Sequence, residues 1–370
     1  MEAHPDRIPA ADDVDAAWLT RVLRTAGIGV DAAVESFTAT SIGTGQVGEN
    51  VRYTLEWGGT GDDGDLPPSI VCKFPSLSPV SRTAAVQLGT YAREVGFYRD
   101  LAPQVDISMP HVHYIGWNPD THDFVLVMDD VRDARQGDQL TGCSIDEARV
   151  VVHEAVKLHA PTQGATERWE QLDWLQAPGE ERMSVMAMLL GATLPGFVAR
   201  YGDVLGGDAV AITEAVVERS TTLAKRFEEW AIANYGWCLA HGDYRLDNML
   251  FSEPEQGQFE VTVVDWQTAS LGSGVADVAY FLGAGLLPAD REQVETVLVA
   301  EYAASMRERG VALSDEAAWD GYVLGSASGL LMAVLASQVV EQTARGDAMF
   351  IAMAERHAAQ IEHVGLLDRL

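Results

Sequence analysis

The stretch from residue 241 to residue 265 constrains this chain more than any other. It reads His241-Gly242-Asp243-Tyr244-Arg245-Leu246-Asp247-Asn248, followed by an apolar strand, Phe259 to Val264, that ends in Asp265. The H-x-D-x-x-x-x-N spacing is complete. Strand ends project side chains at a sheet edge, so Asp265 is predicted to reach the same cleft as the loop. Two carboxylates and an amide in this order suit phosphoryl transfer. Asp243 would orient and deprotonate an attacking hydroxyl, while Asn248 and Asp265 hold Mg²⁺ on nucleotide phosphates. A loop whose Asp and Asn cap their own backbone explains each residue singly but not the joint spacing.

Upstream, every part of a nucleotide clamp has a candidate. Gly43-Thr44-Gly45-Gln46-Val47-Gly48 is a G-x-G-x-x-G run. A dinucleotide fingerprint of that form would open a helix. Here Val51, Tyr53, Leu55 and Trp57 alternate with polar neighbours, a period of two that predicts a strand. Gly43, Gly45 and Gly48 are thus expected to cap a hairpin over phosphates; a hairpin without ligand is the plainer alternative. Residues 58–68 read as a turn-rich loop. Ser69-Ile70-Val71-Cys72-Lys73-Phe74 is an apolar strand interrupted by one lysine, and a helix from about Arg82 to Leu101 carries Glu94. A Lys73–Glu94 pair would hold the ammonium toward the α- and β-phosphates, with Glu49 as the rival partner. Phe124 to Val131 reads as a buried strand running into a polar segment, the place of a kinase hinge. Met128, the Asp129 carbonyl and the Val131 amide are the expected base contacts.

With these residues in place, the chain resembles the aminoglycoside phosphotransferase family and its relatives, the choline and ecdysteroid-type small-molecule kinases. The resemblance covers roughly residues 35 to 285. It rests on His241-Gly242-Asp243…Asn248, Asp265-Trp266-Gln267, Asp277-Val278-Ala279-Tyr280-Phe281-Leu282, Leu126-Val127-Met128-Asp129-Asp130 and Glu94-Val95-Gly96-Phe97-Tyr98. It implies an α+β, protein-kinase-like bilobal fold: a small antiparallel β-sheet lobe with a leading helix (1–131) and a larger helical lobe (132–370), with nucleotide between them. It implies Asp243 as the catalytic residue, Asn248 and Asp265 as Mg²⁺ ligands, and ATP as donor, with GTP also open because a hinge reads the base through backbone groups. His241 would support the loop. Asp277 would be a structural acid bonding catalytic-loop backbone from a helix N-terminus.

Departures from protein kinases say what the acceptor is not. Gly242 replaces the Arg of H-R-D, and Asp265-Trp266-Gln267 replaces Asp-Phe-Gly. Only Thr268 to Ala276 precede Asp277, and no Ala-Pro-Glu follows. That is too short to lay out a peptide, so a hydroxylated small molecule is the expected acceptor.

Composition narrows the partners. Net charge is −30, which argues against nucleic acid, because phosphate neutralisation needs basic patches. The acidity either attracts a cationic acceptor or simply maintains solubility. Cys72, Cys143 and Cys238 are widely spaced and form no disulfide or metal framework, so a reducing cytoplasm is the default. The N-terminus lacks a signal pattern, and the apolar runs are expected to break before membrane-spanning length. A monomer or homodimer without membrane attachment is the expectation.

The remaining pattern predicts helices at 11–26, 145–159, 182–190, 209–233, 291–309, 316–340 and 347–367, a polar connection over 132–141, and catalytic strands at 248–251 and 259–265. Family logic places the acceptor near Met183–Tyr201 and Tyr322–Ser337. Asp173, Trp174, Met186, Phe197 and Tyr201 are candidates for its pocket, although a Met-rich helix is more often core. That lining suits a hydrophobic alcohol better than a polycationic sugar, whose amines would need several inward acids; an aminoglycoside or a hydroxyacyl-CoA stays open. Arg245 would either neutralise phosphate charge or form a salt bridge to Asp247 or Asp277. A nucleotide-binding protein without turnover is the non-enzymatic alternative.

Overall fold

The computed structural model describes residues 8–43, 47–59, 66–164, 169, 171–175, 179–234, 236–252 and 259–370. The chain divides into two compact units, Met1–Pro103 with Met109–Arg132, and Gln104–Ser108 with Asp133–Leu370.

The first unit is built on a five-stranded antiparallel sheet of order β1-β2-β3-β5-β4. Its strands are β1 (Ala32–Ile42), β2 (Gly48–Gly59), β3 (Ser69–Pro75), β4 (Val112–Asn118) and β5 (Asp123–Asp129). The period of two on β2 sends Val51, Tyr53 and Leu55 into a core with Ile70, Cys72 and Phe74 of β3. Helix α1 (Ala16–Thr25) closes that face with Trp18, Leu19, Val22 and Leu23. The helix expected from residue 11 starts at Ala16, because Asp15 caps it, its carboxylate accepting from the Trp18 amide at 2.6 Å. Ala11–Asp13 form a separate 3₁₀ turn. β3 is buried along its length, and alternation puts Lys73 on the face opposite Cys72 and Phe74. The single helix expected over 82–101 is broken. Gly89, at φ 69°, ends α2 (Pro79–Leu88), and the chain restarts as α3 (Thr90–Gly96) before a wider π turn at Phe97–Leu101. A left-handed residue at a helix end favours glycine.

In the second unit, α4 (Ile145–Thr162) begins at a reciprocal Ser144/Glu147 capping box. Next come α5 (Glu180–Glu218), bent at Gly206, and α6 (Ser220–Asn234). The helices expected at 182–190 and 209–233 are thus merged and re-divided, with the boundary near Arg219. The loop His241–Asn248 follows β7 (Cys238–Ala240) and leads to β8 (Met249–Ser252) and β9 (Glu260–Val263). β6 (Ala134–Gln136) pairs with β8, so the expected polar connection contributes a strand. β10 (Ser270–Gly272) pairs with β7. Then follow the helices α7 (Gly274–Gly285), α8 (Pro288–Glu308), α9 (Asp315–Gly325) and α10 (Ser328–Val339). The last long helix is α11 (Ala344–Val364). The helix expected over 316–340 is therefore two, parted at Ser326–Ala327. α7 is buried almost all round, as a helix apolar on every face should be.

One expectation needs correcting. Among the described residues, Glu180–Glu218 and Asp315–Val339 are long and apolar enough to cross a membrane by length and composition alone, even though the second is parted at Ser326–Ala327.

Candidate active site

The loop His241–Asn248 is shaped in part from α7. Asp277, in that helix's first turn, accepts from the backbone amides of His241 (2.6 Å) and Gly242 (3.0 Å), and its Oδ2 lies 3.2 Å from His159 Nε2. A carboxylate in a first helical turn is favoured by the helix dipole. Gly242 holds φ +79°, and a Cβ there would sit 2.7 Å from the Thr268 carbonyl oxygen; this position requires glycine. The loop is then tied to the end of β9. His241 Nε2 lies 3.0 Å from the Val264 carbonyl, and Nδ1 accepts from the Asp243 amide at 3.3 Å. Those partners select the Nε2–H tautomer.

Asp243 is 8% exposed, and its carboxylate is enclosed by donors. Arg245 Nε donates to both of its oxygens at 3.0 Å. The Tyr280 hydroxyl donates to Oδ1 at 2.7 Å, and Asn248 Nδ2 donates to Oδ2 at 3.0 Å. Burial opposes the charge, but the Arg245 guanidinium and the Tyr280 hydrogen bond outweigh it and hold Asp243 below the usual carboxylate range. Burial would likewise lower Arg245, and the Asp243 charge more than reverses it, so the guanidinium stays charged. Of the two salt bridges expected for Arg245, the structure forms the one to Asp247, through Nη1 at 2.8 Å. Its second partner is Asp243 rather than Asp277, whose oxygens serve the loop backbone. Tyr280 is a site residue that sequence reasoning missed. Inside Val278-Ala279-Tyr280-Phe281-Leu282 it reads as one more core residue, and nothing local marks its hydroxyl.

Asn248 and Asp265 flank the β8–β9 hairpin at one end. Met249 pairs with Val263, and the Val264 amide donates to the Asn248 carbonyl at 3.0 Å. Both lie just outside the strands in which the sequence placed them. Asn248 ends the 3₁₀ turn Leu246–Asn248, and Asp265 adopts the left-handed conformation, φ 70° and ψ 67°. A non-glycine residue held there stores backbone strain. Asn248 spends its Nδ2 on the Asp243 carbonyl (2.9 Å) and carboxylate, which leaves the amide oxygen as the end that could hold a cation. Asp265 Oδ2 accepts from Gln267 Nε2 at 3.2 Å. Among the described residues no group of three or more His, Cys, Asp or Glu side chains is placed to hold a metal. One carboxylate and one amide oxygen suit an ion that keeps its water and phosphate ligands, as Mg²⁺ does.

In the other unit, Lys73 Nζ lies 2.6 Å from Glu94 Oε1, both side chains buried. Glu49 pairs in register with Phe74, so it belongs to the opposite face of the sheet. Gly43 holds φ +79°, and a Cβ on Gly48 would lie 3.0 Å from Lys73 Cε; Gly45 lies outside the described residues. The Tyr91 hydroxyl donates to the Val47 carbonyl at 2.8 Å and accepts from the Ser76 amide at 3.0 Å, pinning the hairpin to α3. At the end of β5, Met128 is buried and Asp129 exposed, with its carboxylate 2.7 Å from His113 Nε2; Val131 is half-buried. Asp130 between them accepts two bonds from Arg52, at 2.7 and 2.8 Å, and one from Ser69.

The residues expected to line an acceptor pocket are dispersed. Asp173 and Met186 are exposed and Trp174 half-buried. Phe197 and Tyr201 belong to the helical core, where the Tyr201 hydroxyl donates to Asp347 at 2.6 Å.

The sequence pattern of the ecdysteroid kinase-like family matches residues 47–313. Over 50 residues the chain is 48% identical to Acyl-CoA dehydrogenase family member 10 of Mus musculus, a stretch that makes up 14% of this chain and 4% of the mouse protein. Among solved structures, Plasmodium vivax ethanolamine kinase superimposes with a TM-score of 0.51 at 9% identity, covering 87% of this chain and 82% of that one. The GDP and kanamycin complex of APH(2")-IIia superimposes with a TM-score of 0.52 at 14% identity, covering 87% and 92%. These likenesses establish a protein-kinase-like α+β fold.

Proposed function

Because this chain belongs to the ecdysteroid kinase-like family, we propose that it moves the terminal phosphoryl group of a nucleoside triphosphate to a hydroxyl of a small molecule. The observation that carries this reading is the setting of Asp243: a buried, charged carboxylate beside Asn248, which shares one hairpin end with Asp265. In the transfer, the acceptor oxygen bonds to the γ-phosphorus as the bond to the β,γ-bridging oxygen breaks. The nucleoside diphosphate leaves, and the hydroxyl proton passes to Asp243. Each Asp243 oxygen already accepts two bonds, and the Nε–H of Arg245 is shared between them. A shared donor is the weakest hold on a carboxylate, so the acceptor hydroxyl displaces that arm most readily.

Asn248 Oδ1 and the Asp265 carboxylate would hold Mg²⁺, which neutralises phosphate charge when bound. Lys73, fixed by Glu94, serves the α- and β-phosphates. For the acceptor we favour an apolar alcohol, since α5 exposes Val185, Met186, Met188 and Val204. One of the similar structures is a GDP and kanamycin complex and the other an ethanolamine kinase, so GTP belongs in the test beside ATP, and both sugars and amino alcohols among the acceptors. Thermal shift with Mg-ATP and Mg-GTP, followed by a nucleoside diphosphate release screen across classes of alcohols, tests the reading. Stabilisation by nucleotide with acceptor-dependent turnover supports it; stabilisation without turnover on any class identifies a nucleotide-binding protein and defeats it.

A further inference from the structure

Helix α7 grips the catalytic loop at two points one turn apart. Asp277 accepts from the loop backbone, and Tyr280 reaches the carboxylate itself, its hydroxyl 2.7 Å from Asp243 Oδ1. Tyr280 is 2% exposed, and its ring packs near His357 at a centroid separation of 5.6 Å. A buried phenol has few orientations to choose from, and its hydroxyl finds a partner where one is in reach. The other donors to Asp243 are less constraining. Arg245 divides its single Nε hydrogen between two oxygens and also binds Asp247, while Asn248 Nδ2 donates to the Asp243 carbonyl and, at the longer distance of 3.0 Å, to the carboxylate. Of these bonds to the carboxylate, the one from Tyr280 is the shortest.

Resting on the phosphotransferase reading above, we infer that Tyr280 is a positioning residue for the reaction: it fixes the rotamer of Asp243 so that the oxygen opposite its own bond faces the acceptor hydroxyl. Tyr280 touches neither nucleotide nor acceptor in this scheme and acts only through Asp243. Displacement of a reacting group by about 1 Å can cost on the order of 10²-fold in rate, so loss of the hydroxyl should lower kcat and leave nucleotide binding alone.

A double-mutant cycle tests this. Tyr280→Phe keeps the ring, its packing and the remaining donors to Asp243, and leaves no buried donor unpaired. In this variant kcat should fall by roughly tenfold or more, within the range expected for misplacement, while KM for Mg-ATP stays within about twofold, the signature of an interaction used in the transition state. In an Asp243→Asn background the same substitution should have no further effect on kcat. Thermal stability supplies a second cycle: Tm losses from Tyr280→Phe and Asp243→Asn should combine to less than their sum. Turnover in the parent with unchanged kcat in Tyr280→Phe, or additive losses in the two backgrounds, would overturn the inference alone. A parent protein that turns over no acceptor would overturn the proposed function, and the inference with it.

Discussion

Arg245 places one Nε hydrogen between the two oxygens of Asp243, 3.0 Å from each, and sends Nη1 to Asp247 at 2.8 Å. Arg245 is thus the guanidinium paired with Asp243, while Asp247 also accepts from Arg345 at 3.2 Å. Removing one partner of such a pair leaves an uncompensated charge, typically at a cost of about 3–5 kcal/mol. Arg245→Met should lower stability by an amount of that order. Arg245→Met with Asp243→Asn should lose less than the sum, because the second change removes the stranded charge. Urea denaturation of the four proteins decides it, and a simple sum would contradict the pairing.

Asp243→Asn should reduce turnover by about 10²–10⁴-fold, the usual worth of general-base assistance. Nucleotide affinity should be nearly unchanged, since Asp243 is not assigned to the metal or the phosphates. Calorimetric titration with Mg-ATP beside steady-state rates separates the two; near-normal turnover would remove Asp243 from its role.

Asp265 carries positive φ without being glycine. Asp265→Gly should relieve strain and raise stability by about 1 kcal/mol, the lower end of what such conformations cost. The same change should weaken Mg-nucleotide binding. A variant both more stable and less able to bind Mg-ATP is the expected result of melting and binding assays. If affinity is retained, the metal role is wrong.

Lys73 and Glu94 are buried together at 2.6 Å. Lys73→Met strands the Glu94 carboxylate and removes a phosphate contact, so stability and nucleotide affinity should both fall. Adding Glu94→Gln should recover part of the stability and none of the affinity. Recovery of binding in the double variant would show that Lys73 does not serve the nucleotide.

His357 gives a pH dependence. Burial holds its imidazole at about 4, well below its ordinary value, and its Nδ1 faces Gln360 Oε1 and the Ser326 carbonyl. Between about pH 6.5, the ordinary value for histidine, and that lowered value, the unfolded chain binds a proton that the folded chain refuses. Stability should therefore fall with falling pH across this window at about 1.4 kcal/mol per pH unit, and the contribution should level off below it. His357→Gln should flatten the slope in denaturation midpoints measured over that range. An unchanged slope would mean the group is not held neutral.

What could be read ahead of the structure divides by range. The loop spacing, the alternation along β2 and the lone lysine of β3 are local patterns, and local geometry reproduces them. The break at Gly89 turned on one residue's left-handed backbone, which an otherwise helical run concealed. Phe197 and Tyr201 were read as lining because apolar composition does not distinguish a pocket wall from a core; the packing of α5 on its neighbours does. Tyr280 lies 37 residues from Asp243 along the chain, and only tertiary packing brings its hydroxyl there.

The grip of α7 on the loop also sets an order of events during synthesis. While the polypeptide is still emerging from the ribosome, residues 241–248 can already bond to the earlier Gln136, Gln139 and Val151, but they lack the contacts of Asp277 and Tyr280 until those residues have followed. On the proposed function, products that end before this helix are expected to lack activity even though the loop itself has been made.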